Sequence, residues 1–320
     1  MSTVLITGYS GFIGSHLVDA LSPSVKVNLL GRSPPLQCHT HLKANIDPNS
    51  DYSAVLNDVD VVVHVAARVH VMNDNSSDPL NEFRQVNAAG TINLATQAVK
   101  AGVKRFIFVS SIKVNGESTA FGKPFTESDD RCPADFYGQS KSEAEVQLLE
   151  LAKQTGLEVV IIRPPLVYGP DVKANFASLL NLVSKGIPLP FGLIKNNKRS
   201  LVSVKNLVDL IVTCIAHPKA ANQVFLVSDD HDVSTSEMVR KMAIALGKPT
   251  WQIPIPVWCY KLVGKLFNKS DMVDRLTGSL QVDITHTKQT LGWTPPQAQQ
   301  QSFKQTAQAF LRSKNNSGKS

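Results

Sequence analysis

The sequence lacks the features that mark secreted, membrane-spanning and metal-binding proteins. Its 320 residues include four scattered cysteines, without disulfide-framework density or paired metal spacing: Cys38, Cys132, Cys214 and Cys259. It contains no run of roughly 18 apolar residues, and the first strand pattern begins near Thr3, which leaves no room for a signal peptide. We therefore expect a cytoplasmic protein with no metal site and no stable membrane insertion.

Blocks of basic residues are also missing, although the formal net charge is +7. The lysines and arginines are dispersed, and five never occur in a row. This distribution argues against a nucleic-acid partner. It favours a solvated surface and a site that attracts a small anionic ligand, such as one carrying phosphate groups.

A glycine-rich turn follows the first predicted strand. The apolar run that begins at Thr3 leads into Gly8, Gly11 and Gly14, and a helix pattern comes next. Between a strand and a helix such glycines mark a dinucleotide site, because they allow a tight turn, a close approach to a pyrophosphate and close helix packing. The free N–H groups of the helix N-terminus then face the phosphates. Spacings of three and three are a variant of the usual fingerprint, and a purely structural turn is the alternative.

The second predicted strand, at 25–30, ends without a carboxylate. A carboxylate there would bind the ribose 2′-hydroxyl and favour NAD. The sequence has Gly31, Arg32 and Ser33 instead, and the last two suit a 2′-phosphate. We therefore expect NADP(H), with NAD(H) as the alternative. The other interpretation of Arg32 is a side chain that points to solvent. Asn45 is expected near the adenine.

Two later strands end in small side chains. The strand at 60–65 ends at Ala66 and Ala67, which would let the cofactor pass closely, and His64 within it is expected to be a hydrogen-bonded core histidine. A strand at 105–109 ends at Ser110 and Ser111, at the edge where parallel α/β sheets place ligands. The polar residues 68–80 are expected to form a loop at the border of the site.

Tyr137 and Lys141 lie four residues apart in a run with helical features, which places both on one helix face. A nearby ammonium stabilises a phenolate and lowers the phenol pKa from its usual value near ~10. Such a pair would exchange a proton with a substrate hydroxyl or carbonyl. The spacing is common by chance, and the alternative is a Tyr–Lys pair on a solvated helix face.

Strands alternate with helices up to Gly169, so the pattern predicts an α/β fold with a Rossmann-type, doubly wound parallel sheet. Beyond Gly169 we expect helices at 175–184 and 206–216 and a last strand at 223–227. Ser234, with Glu237 three residues later, predicts another helix start. A smaller mixed α/β domain is expected from C-terminal segments, with a disordered tail from residue 314.

Together these motifs resemble the extended short-chain dehydrogenase/reductase family, in the NAD-dependent epimerase/dehydratase branch that acts on nucleotide sugars. The resemblance runs from about residue 3 to residue 310. Six motifs carry it, in this order: Thr7-Gly8-x-x-Gly11-x-x-Gly14, His64-Val65-Ala66-Ala67, Asn87-x-x-Gly90-Thr91, Ser110-Ser111, Tyr137-x-x-x-Lys141 and Arg163-Pro164-x-x-x-Tyr168-Gly169-Pro170.

The resemblance implies roles for individual residues. Tyr137 would be the acid/base, Lys141 would bind the nicotinamide ribose and lower the tyrosine pKa, and Ser111 would bind the reacting oxygen. The implied cofactor-binding residues are Gly8, Gly11, Phe12, Ile13, Gly14, Arg32, Asn45, Ala66, Ala67, Asn87, Tyr137, Lys141 and Pro164. The implied substrate-binding residues are Ser111, Lys113, Asn175, Arg199 and Arg275, of which the arginines suit a diphosphate.

The resemblance also implies a division of the chain. Residues 1–168 with 201–229 would form the NAD(P)-binding domain, residues 169–200 with 230–313 a UDP-sugar domain, and 314–320 a flexible tail. Members of the family often dimerise through two helices of each subunit, so we expect a homodimer through the helices at 81–101 and 137–154.

The reaction is the finer question. Ile112 and Lys113 stand where sugar dehydratases have Asp-Glu, which argues against a dehydratase. Residues 110–117 and 163–170 are similar to those of bacterial enzymes that reduce UDP-4-keto-6-deoxy-N-acetylhexosamines to UDP-N-acetylquinovosamine or its C4 epimer. We therefore expect a 4-ketoreductase of surface-polysaccharide (O-antigen) synthesis. A UDP-glucose or UDP-N-acetylglucosamine 4-epimerase is the alternative. Redox sensors of this fold typically lack the Tyr–Lys pair, so we expect an enzyme.

Overall fold

The computed structural model describes residues 2–21, 25–35, 39–69, 78–120 and 122–317. The expectations for Cys38, for most of the polar loop (residues 70–77) and for the end of the tail (318–320) fall outside these residues.

The described residues form a parallel sheet of seven strands and a separate parallel pair. The strands are β1 (Thr3–Thr7), β2 (Lys26–Gly31), β3 (Thr40–Lys43), β4 (Val61–His64), β5 (Arg105–Val109), β6 (Glu158–Arg163), β7 (Leu166–Tyr168), β8 (Leu201–Ser203) and β9 (Gln223–Leu226). The large sheet has the order β3-β2-β1-β4-β5-β6-β9, with β3 and β9 at its edges, and β7 pairs with β8. The strand order reverses between β1 and β4, where open α/β sheets have their ligand crevice.

Helices connect the strands. They are α1 (Phe12–Ala20), α2 (Ser53–Leu56), α3 (Pro79–Arg84), α4 (Thr91–Lys100), α5 (Phe136–Thr155), α6 (Ala174–Ser184), α7 (Val204–Ala216), α8 (Thr235–Ala245), α9 (Val257–Leu266), α10 (Ser270–Thr277), α11 (Thr285–Leu291) and α12 (Gln299–Ser317). A π-helical turn, Gln85–Gly90, joins α3 to α4, and a 3₁₀ turn, Ile112–Val114, follows β5. None of the helices in the described ranges is long and apolar enough to cross a membrane.

The predicted doubly wound sheet is confirmed, and its two faces are covered by different helices. On one face, the strands pack against residues of α1 and α7 such as Leu17 and Leu210. On the other face, they pack against residues of α4 and α5 such as Leu94 and Leu148. Because both faces of the sheet are buried, the strand sequences are almost continuously apolar and do not alternate with polar residues.

A third apolar cluster lies outside the sheet, in the segments expected to form the smaller domain. It includes Phe176 of α6, Met242 of α8 and Phe303 of α12. The segment from Leu280 to Trp293, which we expected in that domain, contributes instead to the core of the sheet. The domain boundaries themselves stay a prediction.

Two features differ from the sequence-based expectation. After β6, Pro164 and Pro165 interrupt the strand, and the chain leaves the large sheet to form β7 beside β8. Proline has no N–H to donate, which suits this exit. The tail predicted from Lys314 is wrong for its first residues, because α12 continues to Ser317.

Candidate active site

The helix α5 places Tyr137 and Lys141 on one face, as their spacing predicts. Asp135 caps this helix by accepting a hydrogen bond from the Gly138 N–H at 2.7 Å. Tyr137 is half-buried and Lys141 is only 1% exposed. The alternative of a solvated Tyr–Lys pair is therefore wrong.

The Lys141 ammonium is held beneath the helix by strand β5. Its Nζ donates to the Val109 carbonyl at 2.9 Å and lies 4.3 Å from the centroid of the Phe108 ring. Burial lowers the pKa of Lys141 to about 7, against the opposing effect of the Glu145 carboxylate. Lys141 therefore gains or loses its positive charge close to neutral pH.

The pKa of Tyr137 moves in the direction opposite to the sequence-based expectation. Burial raises this pKa, and the Asp135 carboxylate raises it further. The Lys141 ammonium donates to the Val109 carbonyl, so its nearest polar contact is a backbone group and not the phenol. Tyr137 is therefore a neutral phenol at neutral pH.

A buried ion pair supports this helix from behind. Glu145, one further turn along α5, accepts from Arg163 of β6 at 3.0 Å and 2.6 Å. Ser110, at the end of β5, donates to the same carboxylate at 2.6 Å. The network joins α5 to two strands, so it fixes the helix against the sheet edge that carries Ser111. Sequence reasoning missed Glu145, whose four-residue spacing from Lys141 was the available signal.

Ser111 begins the turn that faces the start of α5. Its Oγ accepts from the Lys113 N–H at 3.3 Å, and the Lys113 ammonium is ion-paired with Asp135. A Cβ on Gly138 would lie 2.7 Å from the Lys113 carbonyl oxygen, so the turn and the helix are in close contact. The structure thus brings the elements that carry Ser111 and Tyr137 together.

Three of the expected substrate-binding residues meet around Glu117. Its carboxylate lies 2.7 Å from the Lys113 ammonium and 3.4 Å from the guanidinium of Arg275. Arg199 donates to the Arg275 carbonyl at 2.8 Å, and burial together with Arg275 lowers the pKa of Arg199. The fourth expected residue, Asn175, is exposed in the first turn of α6. Its contact with a substrate stays a prediction.

The glycine turn between β1 and α1 is tightly constrained. Gly8 has a φ of +70°, and a Cβ on it would lie 2.7 Å from the Ala66 nitrogen. A Cβ on Gly14 would lie 2.2 Å from the Gly8 carbonyl oxygen. The first turn of a helix leaves its N–H groups without helical partners, and here these include Phe12 and Ile13. Only glycines fit this cradle, and its open N–H groups fit the pyrophosphate of a dinucleotide.

The end of β2 shows why position 31 has no side chain. A Cβ on Gly31 would lie 2.9 Å from the ring of Tyr9, whose hydroxyl donates to the Ser33 carbonyl. Arg32 is exposed, and within the described ranges it makes no hydrogen bond or ion pair. The side chain of Asn45 is also exposed. The expected contacts of Arg32 and Asn45 with a cofactor stay predictions.

The end of β4 is held by polar side chains. Asn87 is fully buried and pairs with both backbone groups of Arg68, at 2.8 Å and 2.9 Å, and with Ser140 of α5 at 3.0 Å. Asn87 therefore positions the chain after Ala66 and Ala67. Its expected contact with a cofactor stays a prediction.

His64 is the core histidine that the sequence predicts. Its ring nitrogens bond to Thr7 at 2.7 Å and to Thr91 at 2.9 Å. Burial lowers the pKa of His64 to about 3, helped by the charge of Lys141, so the ring is neutral. Pro164 lies beyond β6, and its carbonyl accepts from the Ile112 N–H at 3.0 Å. Its expected cofactor contact also stays a prediction.

The family assignment follows from the sequence comparisons. The model of the NAD dependent epimerase/dehydratase family matches residues 4–228, which is more than half of the chain. The chain belongs to this family. The resemblance inferred from the six motifs is therefore confirmed at the level of the family.

Individual proteins similar to this family member indicate which substrates its relatives bind. A UDP-glucose 4-epimerase of Vibrio cholerae is 62% identical, over 98% of this chain and 97% of that protein. The structure of MoeE5 in complex with UDP-glucose and NAD has a TM-score of 0.78 at 25% identity, covering 98% of this chain and 99% of that one. A Thermotoga maritima UDP-glucose 4-epimerase with UDP-glucose has a TM-score of 0.76 at 22% identity, covering 97% and 99%, which supports the fold.

The comparison with the Vibrio cholerae enzyme contradicts the predicted 4-ketoreductase. That prediction depended on short motifs around Ser111 and Arg163, together with the expectation of an exchangeable NADP(H) that Arg32 had suggested. Reduction and epimerisation both move a hydride at C4 and a proton at the C4 oxygen, so the acid/base residues do not distinguish the two reactions. Arg32 is exposed and does not decide the cofactor.

Proposed function

We propose that the protein is an NAD-dependent UDP-glucose 4-epimerase. The observation that carries the proposal is 62% identity to a UDP-glucose 4-epimerase over nearly the full length of both chains. The geometry around Tyr137 supports it, because an acid/base, a hydroxyl donor and a phosphate cradle lie at one edge of the sheet.

NAD fits the glycine cradle described above, and when bound it accepts a hydride from C4 of the sugar and returns it. The chain's own residues would handle the proton and the orientation. To act as the base, the neutral phenol of Tyr137 would first lose its own proton to solvent. The phenolate would then take the proton of the C4 hydroxyl, and the resulting phenol would return it to the C4 carbonyl oxygen, while Ser111 would donate a hydrogen bond to that oxygen. Lys141, whose pKa is lowered to about 7, would stabilise this phenolate in its protonated form.

We infer that the cofactor is NAD rather than NADP. The family description names NAD, and the structure of MoeE5 holds NAD beside UDP-glucose. A reaction without net redox change needs no exchange of cofactor. The exposed position of Arg32 gives the NADP expectation no support.

The same proposal assigns the UDP diphosphate to the cluster around Glu117. Arg199 and Arg275 provide guanidinium groups there, and planar guanidinium forks match phosphate oxygens. Arg275 is half-exposed and its contact with Glu117 is long, 3.4 Å, so it is free to turn toward a stronger anion. Arg199 is held by backbone carbonyls and would act from a fixed position.

The test is to incubate the purified protein with UDP-glucose and, separately, with UDP-galactose and UDP-N-acetylglucosamine. Separation of the nucleotide sugars should show UDP-glucose and UDP-galactose converging on one ratio, without net formation of NADH. Arg275→Gln should raise KM more than it lowers kcat, because it removes a substrate contact and not the acid/base.

Two outcomes would contradict the proposal. If neither UDP-hexose changes in the presence of added NAD, the chain is not this epimerase. If only the N-acetylated sugar is converted, the reaction class holds and the assigned substrate is wrong.

A further inference from the structure

An apolar face of α9 is left uncovered by the rest of the described chain. Trp258 is 66% exposed, Leu262 62% and Leu266 76%, and their spacing of four residues puts them in one row along the helix. Val263 and Phe267, which are also mostly exposed, widen this row. We call these five residues the α9 stripe.

The other side of α9 is packed on the protein. Gly264 is buried, and a Cβ on it would lie 2.6 Å from a methyl group of Val273 in α10. Tyr260 packs against the third apolar cluster. With about 3.6 residues per turn, these positions lie on the side of the helix opposite the stripe. The helix therefore has two apolar faces, and only one belongs to the core.

A row of positive charge borders the stripe. Lys261 and Lys265 are exposed and lie one turn apart on α9, and Lys269, also exposed, follows beyond the end of the helix. The sequence from Trp251 to Ser270 contains no acidic residue. A partner that covers the stripe therefore meets both apolar side chains and exposed lysines, and the first acidic residue after the stripe is Asp271 at the start of α10.

We propose that the α9 stripe docks the protein on the surface of an anionic phospholipid bilayer. A helix with Trp, Phe and Leu on one face and lysines beside them lies in the plane of a membrane interface, with its apolar face among the headgroups and upper acyl chains. Tryptophan favours this depth, and lysines are attracted to anionic headgroups. At ten residues, α9 lies on a bilayer and does not span it.

A second copy of the chain fits the stripe less well. In a two-fold dimer the same patch meets itself. Two copies would bring two sets of lysines together along α9, which itself carries no acidic side chain. An anionic lipid surface satisfies both the apolar and the charged part of the face.

Docking would place the membrane close to the substrate cluster. The neighbouring helix α10 packs on α9 and carries Arg275, which pairs with Glu117. The proposal goes beyond the proposed epimerase activity and does not depend on it.

The test is flotation of the full-length protein with vesicles of phosphatidylcholine alone and of phosphatidylcholine with a quarter phosphatidylglycerol. We expect binding to the anionic vesicles that weakens as salt is added, with a blue shift of tryptophan emission. Trp258→Ser combined with Leu266→Ser should lower binding at least about tenfold. Lys261→Glu combined with Lys265→Glu should lower it by a similar factor, on anionic vesicles only.

The matched control is Ile244→Ser on α8, which is 58% exposed but outside the stripe and should bind vesicles as the unsubstituted protein does. All substituted side chains are exposed, so the variants should keep the fold and the epimerisation of soluble UDP-glucose.

Absence of binding to anionic vesicles would overturn the proposal, as would equal binding by the stripe variant. A protein that ignores vesicles and forms a dimer that Trp258→Ser dissociates would show that the stripe is an interface between two copies.

Discussion

Glu145 and Arg163 form an ion pair that is almost completely hidden from solvent, behind the helix face that carries Tyr137 and Lys141. Two nitrogens of the guanidinium bind the carboxylate, at 3.0 Å and 2.6 Å. A buried pair of this kind is costly to break, because removing one partner leaves a charge without compensation.

Glu145→Gln should therefore lower the free energy of unfolding by about 3–5 kcal/mol, as measured by urea denaturation. The matched control is Glu143→Gln on the same helix, whose partner Arg84 is partly exposed, and it should cost less than about 1 kcal/mol. Equal effects of the two substitutions would show that the buried pair has no special role.

Tyr137→Phe should lower kcat by about 10²–10⁴-fold, because the variant has no proton to exchange with the C4 hydroxyl. Binding of NAD, followed by quenching of tryptophan fluorescence, should persist. Tyr260→Phe is the matched control, since the Tyr260 hydroxyl is buried without a partner in the described structure. Full activity of Tyr137→Phe would exclude the assigned role.

Lys141 should make stability depend on pH in the alkaline range. Burial lowers its pKa from 10.5 to about 7. Between these values the unfolded chain keeps the proton and the folded protein releases it, so the free energy of unfolding rises with pH. Below about pH 7 both states are charged and this slope disappears.

Lys141→Met should lack that rise. The slope of its free energy of unfolding against pH should therefore differ from that of the unsubstituted protein by on the order of 1 kcal/mol per pH unit. The measurement is urea denaturation over the alkaline range. Lys153→Met, at an exposed position of the same helix, should keep the slope of the unsubstituted protein. Parallel curves for Lys141→Met would contradict the lowered pKa.

Gly14→Ala should damage the phosphate cradle. The added methyl group would lie 2.2 Å from the Gly8 carbonyl oxygen, which forces α1 away from β1. We expect a loss of about 3 kcal/mol or more in stability, and loss of NAD binding measured by calorimetry. The control is Gly102→Ala, where φ is +80° and an added Cβ would meet no atom. It should lower the free energy of unfolding by only about 1–2 kcal/mol and leave NAD binding intact.

The sheet and most helices were predictable because their signals are local. Alternation of apolar strands and helices gave the parallel topology, and the helix start at Ser234 is confirmed by the hydrogen bond that its Oγ accepts from the Glu237 N–H at 3.1 Å. The pairing of β7 with β8 was not predictable, because it joins segments more than thirty residues apart. The packing of Leu280 to Trp293 on the sheet is non-local in the same way.

At the candidate site, the sequence predicted where side chains lie along the chain but not their environment. The positions of Tyr137 and Lys141 follow from helical spacing, whereas the pKa directions depend on burial by β5 and on Asp135, which only the folded structure shows. Glu145 was missed because a carboxylate in an amphipathic helix normally faces solvent. Arg32 alone did not settle the cofactor, because an exposed basic side chain after β2 suits both a 2′-phosphate and solvent.

The two edges of the large sheet bear on how the protein behaves when concentrated. Unpaired edge strands are templates for β-type aggregation between molecules. Here both are only four residues long, β3 ends in a charged residue, Lys43, and β9 is covered by α11, whose His286 ring stacks on Phe225 at 5.7 Å. A chain with edges this short, one ending in a charge and the other beside a helix, offers little template for fibrous assembly, even though its centre is a wide parallel sheet.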